Sequence, residues 1–169
     1  PIRDKIFHLY NQDDDFLMAC KGWGPTVSEN ELELFINTTS RSKFSLSPRG
    51  YGPTSFRMYE ILQLNSIPVI VYDRKWLPFE DEIDYDSFCV LVNENEIDNL
   101  KNILNQISDD RQYKMLQKGK EIYEKYFTLE GMCKQILIDL NKKKKQWPYL
   151  MTTLILKKLY LWVDKKLSP

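Results

Sequence analysis

Histidine is almost absent from this 169-residue chain, where His8 stands alone. A mechanism that needs two histidines, or a zinc site built on them, is therefore unavailable within it. Cysteine is scarce as well. Cys20, Cys89 and Cys133 form an odd set without close spacing, which excludes a dense disulfide scaffold and a CxxC zinc site. One bridge stays open, and free buried thiols are the default expectation. No run of about 18 apolar residues occurs, and no secretory apolar region opens the sequence. The most apolar stretch, Leu150 to Val163, is broken by Lys157 and Lys158 and is too short and too charged to span a bilayer. Position 1 is Pro, which fits either removal of an initiator Met or a chain cut from a longer one. Internal repeats are missing. Net charge is missing too: 24 basic residues balance 24 acidic ones, so the chain as a whole is no polyanion binder.

What is present reads as globular. Hydrophobic residues make up 43% and charged residues 28%, enough of the first to build a core and too little of the second for disorder. The length suits one domain. Charge is unevenly spread: residues 141–169 hold eight Lys against Asp164 alone, whereas residues 1–140 hold sixteen basic against twenty-three acidic residues. This divides the chain into an acidic body, 1–140, and a basic, amphipathic helical extension, 141–169.

Apolar runs separated by helical patterns set the architecture. Lys5–Tyr10 reads as a short strand or a helix end, and Phe16–Cys20 as a buried strand. Gly22, Gly24 and Pro25 mark a loop. Ser28 with Glu31 forms a capping box that opens a helix to about Thr39. Lys43–Ser47 is a second strand, Pro48–Pro53 a loop rich in breakers, and Thr54 or Ser55 to about Leu64 a helix closed by Asn65-Ser66. Ile67–Tyr72 is the clearest buried strand and Phe88–Val92 another. Helices are expected at 96–107, 109–126 and 129–140. Strands that are apolar throughout and alternate with helices predict a Rossmann-like α/β domain: a parallel sheet flanked by helices, with a helical C-terminal extension.

The stretch Phe44–Tyr72 carries the chemistry. A strand–loop–helix–strand unit puts the loop at the carboxyl edge of a parallel sheet, where α/β proteins bind ligands. That loop holds Arg49, Gly50 and Gly52. Glycines let backbone approach a ligand closely, and a guanidinium can clasp phosphate oxygens through two donors. Ser55 offers a hydroxyl in the first helical turn. Arg57 and Glu60, three apart, face one side of the helix, the carboxylate suited to a pair of ribose hydroxyls. Two readings stand on the residues alone. One is a nucleotide-diphosphate site; the other is an exposed ion pair beside an ordinary turn. The loop is neither GxGxxG nor a Walker A sequence.

Four blocks in order, Phe44-Ser-Leu-Ser-Pro-Arg-Gly50, Gly52-x-x-Ser55-x-Arg57-x-x-Glu60, Ile67-Pro-Val-Ile70 and Leu77-Pro-Phe79, resemble the core of the exostosin family. The similarity runs from Arg3 to about Phe127 and takes in Ile83–Phe88 and Glu124–Phe127. It implies an inverting glycosyltransferase of GT-B fold that moves sugar from a UDP-sugar to a glycan or glycoprotein acceptor. This chain would be the second, donor-binding half. By that resemblance Arg49, Ser55 and Arg57 hold the diphosphate, beside the loop glycines Gly50 and Gly52 of the same donor-nucleotide site, Glu60 takes the ribose, and Asp73 and Trp76 lie near the donor sugar or base. No cofactor and no metal are expected. The first GT-B domain is not evident before Arg3, so the catalytic base and much of the acceptor site are expected outside this sequence, in the same chain or another. Animal members place a cysteine where this chain has Ser45, able to pair with one at the Cys20 position; without it, that bridge is not expected. Localisation divides accordingly, Golgi lumen by family and cytoplasm by lack of an anchor and of that pairing. A competing reading is a catalytically incomplete nucleotide-sugar-binding module that serves as partner or regulator of another chain.

Other signals are weaker. Asp13-Asp14-Asp15 contains a D-x-D, but it precedes an apolar run and sits in an Asn/Gln-flanked turn, so a solvated turn is the better reading. Glu80–Asp86 lacks EF-hand spacing and reads as a loop anchored by Ile83, Tyr85 and Phe88. The Lys142–Lys145 cluster and the aromatic segment after it fit burial against protein better than membrane contact. Nucleic-acid binding is not expected, because the basic residues cluster only in this tail.

Overall fold

The computed structural model describes residues 2–18 and 26–144, with side chains through residue 141. The expected loop at Gly22–Pro25, Cys20, and the tail from residue 145 lie outside the described residues. Two compact units divide at Glu124–Lys125.

The first unit is a three-stranded parallel sheet with helices around it. Its strands are β1 (Phe44–Pro48), β2 (Ile67–Tyr72) and β3 (Val90–Asn93), in the spatial order β1-β2-β3. The central strand reads Ile-Pro-Val-Ile-Val-Tyr, and its first five residues are buried. A strand covered on both faces must be apolar throughout, which is why this run is so legible in sequence. Pairing is in step: Phe44 lies beside Ile67, Pro48 beside Val71, and Val71 beside Val92. On one face Ile67, Val69, Val71, Val90 and Val92 form the main core cluster with Ile6 and Tyr10 of helix α1 (Ile2–Tyr10) and with Ile97, Leu100, Ile107 and Met115. The last four come from a 3-10 segment (Glu94–Asn99), helix α4 (Leu100–Asn105), the link after it, and helix α5 (Asp109–Ile122). The Tyr10 hydroxyl donates to the Ile97 carbonyl at 2.6 Å and so satisfies a polar group within this cluster. Helix α3 (Arg57–Gln63) packs against β2 and β1 and buries Met58, Ile61 and Leu62.

The Ser28–Glu31 capping box is present in full: the Ser28 Oγ accepts from the Glu31 N–H, and the Glu31 carboxylate accepts from the Ser28 N–H at 2.8 Å. It opens helix α2 (Glu29–Arg41). Asn65 ends α3 in the left-handed region, φ 56°. The Ser66 N–H reaches the Ile61 carbonyl and the Asn65 N–H the Leu62 carbonyl, the two bonds of a Schellman closure.

Lys5–Tyr10 is the end of helix α1, the second of its two expected readings. Several other boundaries differ from expectation. Phe16–Met18 forms no strand; Leu17 is exposed, while Phe16 stacks on Tyr10 at 4.3 Å between centroids. Phe16 and Met18 pack on the core without pairing as a strand. Helix α3 starts at Arg57, since the Thr54 hydroxyl donates to the Trp76 carbonyl and Phe56 occupies the cap without a side-chain bond. Strand β3 starts at Val90, because the N–H groups of Phe88 and Cys89 both bond the Tyr85 carbonyl in a 3-10 turn (Tyr85–Ser87). The segment expected as one helix over 96–107 begins as 3-10 and becomes α4. Helix α5 stops at Ile122 and gives way to a π-helical turn (Tyr123–Phe127), in which the unit boundary falls. As expected, Ile83, Tyr85 and Phe88 anchor the acidic loop; all three are buried, and the Tyr85 hydroxyl donates to the Pro78 carbonyl.

The second unit is described as far as helix α6 (Leu129–Lys144). The Thr128 Oγ1 accepts from the Gly131 N–H at 3.0 Å and caps its start, and a Glu130–Lys134 pair braces its first turns. Cys133, expected to be buried, is an exposed thiol.

Candidate functional site at the carboxyl edge of the sheet

Parallel strands end together, and the residues just beyond them meet at one edge. Here those residues are Arg49 after β1, Asp73 after β2 and Glu94 after β3. The Arg49 N–H continues the ladder to the Val71 carbonyl at 3.0 Å, which fixes where its side chain departs. Its guanidinium Nε lies 3.2 Å from a Glu94 carboxylate oxygen and 3.4 Å from one of Asp73. Arg49 and Glu94 are each only 29% exposed, so this cluster is more sheltered from screening than a surface pair.

Arg57 and Glu60 do pair, at 3.2 Å, as an i,i+3 contact that stays largely open to water. The guanidinium also stacks over the Phe35 ring of α2, 4.0 Å from its centroid, which gives it a fixed platform. The Ser55 Oγ accepts from the Arg57 N–H at 3.3 Å. Neither Gly50 nor Gly52 has a positive φ, and a Cβ on Gly52 would meet nothing within 4 Å. Their contribution is open space above the loop and not an unusual backbone. Trp76 is 56% exposed, with its carbonyl on Thr54, so the loop after β2 is tied to the loop before α3. Asp73 turns its carboxylate toward Arg49 and accepts from the Arg74 N–H at 2.7 Å.

Sequence reasoning found Arg49 and the Arg57–Glu60 pair but missed Glu94, Phe35 and Arg3. The Arg3 guanidinium donates to the Pro48 carbonyl at 3.4 Å, beside the Gly50 position. Glu94 had one available signal: it is the first charged residue after an apolar run.

The Asp13–Asp15 triplet lies in a turn whose carboxylates grip Lys101, at 2.8 Å from Asp13 and 2.7 Å from Asp15. The Lys101 bond holds the Asp13 carboxyl below the ordinary carboxylate range. That ties the triplet to α4. Burial raises the Tyr59 and Tyr85 hydroxyls above their usual value, so both are neutral packing groups at physiological pH.

A family model described as the Exostosin GT47 domain matches residues 1–107. The chain belongs to this exostosin family. Exostosin-1 of Drosophila melanogaster is 29% identical over 137 residues, covering 74% of this chain and 18% of the fly protein. The Exostosin-1 homolog of Caenorhabditis elegans is 32% identical over 136 residues, 73% of this chain and 36% of its own length. A probable arabinosyltransferase of Arabidopsis thaliana, ARAD1, is 28% identical over 147 residues, covering 84% and 32% respectively. The chain thus spans 18% to 36% of the length of these three relatives.

Proposed function

We propose that this exostosin domain supplies the donor-nucleotide site of an inverting glycosyltransferase that uses a UDP-sugar and a glycan acceptor. The observation that carries the reading is Arg49, set at the carboxyl edge of a parallel sheet with its side chain lying across the ends of all three strands. In this reading Arg49 and Arg57 stabilise the diphosphate as it leaves, Ser55 supports the first turn beneath it, and Glu60 receives the ribose hydroxyls. Gly50 and Gly52 leave room for the phosphates, and Trp76 offers a face to sugar or base. An acceptor hydroxyl attacks the anomeric carbon from the opposite side, and its proton passes to a general base. The carboxylates near the edge, Glu60, Asp73 and Glu94, are all engaged by arginines. This supports a base contributed by another GT-B domain, in the same protein or a separate one. No metal is assigned to the site, and the two guanidiniums take the role of the countercharge.

Relatives named as an arabinosyltransferase and as probable glucuronosyltransferases suggest a pentose or a uronic acid as the sugar. Family kinship supports work in the Golgi. Among the described residues, no helix is long and apolar enough to cross a membrane.

The test is calorimetric titration with UDP, ADP and GDP, with and without Mn²⁺. UDP is expected to bind selectively without metal. Arg57→Ala and Glu60→Ala should each weaken it about tenfold, near 1.4 kcal/mol, with the thermal midpoint hardly moved because the pair is surface-exposed. Two variants that bind UDP like the parent would refute the assignment.

A further inference from the structure

Arg49 is held in an asymmetric way. Both carboxylates approach the same atom, Nε, from Asp73 and Glu94, which follow two different strands. Strands in a sheet lie about 4.8 Å apart, so the Arg49 side chain must cross the end of β2 to reach Glu94 beyond β3. Of the two contacts, the one to Glu94 is a directed hydrogen bond. The fork formed by Nη1 and Nη2 makes no hydrogen bond among the described residues. It is this fork, and not Nε, that matches a pair of phosphate oxygens.

An unrestrained arginine samples many rotamers and loses that freedom when it clasps an anion. Carboxylates fastened to Nε remove the freedom before the ligand arrives and leave the fork available. We propose that Asp73 and Glu94 are positioning residues, which hold Arg49 with its Nη fork presented to the diphosphate of a nucleotide. The proposal rests on the donor-site reading above. It also reassigns Asp73 from the donor sugar or base to the orientation of Arg49.

A competing effect has the opposite sign. Two carboxylates beside a diphosphate repel it, so if charge were their only influence, neutralising them would tighten binding. Both are partly solvated and already paired with the guanidinium, which damps that repulsion. Positioning therefore outweighs it, and removing Glu94 weakens binding.

The experiment has two arms on the full chain. In the first, the Arg49 Nε–H resonance is followed by ¹H–¹⁵N NMR without ligand. A resolved, slowly exchanging signal is expected in the parent and in Glu94→Gln, which keeps an acceptor, and its loss is expected in Glu94→Ala. In the second arm UDP and inorganic pyrophosphate are titrated. Glu94→Ala should weaken both about tenfold, with Glu94→Gln recovering most of the loss. On an Arg49→Ala background the weakening by Glu94→Ala should disappear or turn into a modest tightening, since no fork is left to position and no guanidinium damps the carboxylate's repulsion. Asp73→Ala repeats the test should Glu94→Ala fail to fold. If the parent binds UDP and the variants bind equally or more tightly, the positioning role is overturned alone. If the parent shows an ordered Nε–H yet binds neither probe, the donor-site reading fails and takes the proposal with it.

Discussion

Ser45 stands at the position for which the family resemblance led to the expectation of a missing disulfide, and its hydroxyl joins a chain of hydrogen bonds. The Ser66 Oγ donates to the Ser42 carbonyl at 2.9 Å, which uses its only proton. The Ser45 hydroxyl, 2.9 Å away, must therefore be the donor to Ser66. A short chain of hydrogen bonds thus joins β1 to the end of the α3–β2 connection. The thiols likewise divide by environment. Cys89 is 2% exposed, and burial, reinforced by the Asp86 charge, lifts its pKa well above the ordinary thiol value, whereas Cys133 lies open on α6. Because the thiolate is the reactive form, a disulfide reagent at pH 8 should label Cys133 in the native protein and reach Cys89 only on unfolding. Peptide mass mapping after timed labelling checks this. Equal labelling rates would mean that Cys89 is not buried as described.

Among the elements, α5 makes its closest approach to α3 at Gly119. A Cβ at Gly119 would stand 3.1 Å from the Leu62 Cδ2 and 3.8 Å from the Phe88 Cβ, so α5 closes tightly on α3 and on the turn before β3. Alanine would regain about 1 kcal/mol of helix propensity, and the only tight neighbour is the flexible end of a leucine. Gly119→Ala should thus change stability by less than about 1 kcal/mol, whereas Gly119→Val should cost about 2 kcal/mol by overpacking. Urea melts of the two variants measure it; a harmless valine would show that α5 packs elsewhere. Elements like this also mark what sequence can and cannot say. Strand β2 was readable because burial on both faces demands an unbroken apolar run, and α2 because Ser28 and Glu31 satisfy each other's backbone. Phe16–Met18 misled because an apolar run records burial, not pairing. The Phe88–Cys89 boundary depended on which carbonyl took their N–H groups. At the site, Arg49 was legible as a loop cation, but its bond to Glu94 spans 45 residues and exists only through the register of three strands.

For the whole molecule, charge separates two routes by which UDP could bind. The chain is neutral overall, but residues 1–124, the unit that holds the sheet, carry fourteen basic and twenty-one acidic residues, so that unit's net charge is negative. A nucleotide is not steered to this edge from a distance; it has to be held by arginines at contact range. Salt then acts twice, weakening attraction to Arg49 and Arg57 while relieving repulsion from the surrounding carboxylates, and the two effects largely cancel. Binding carried by the four consecutive lysines Lys142–Lys145 would instead be dominated by attraction and fall steeply as salt rises. Between about 50 and 200 mM NaCl the UDP dissociation constant should therefore change by less than about threefold. The same titration at the two salt concentrations decides it. A steep loss of affinity would move the nucleotide from the sheet edge to the lysine cluster, and Arg57→Ala would then leave binding unchanged.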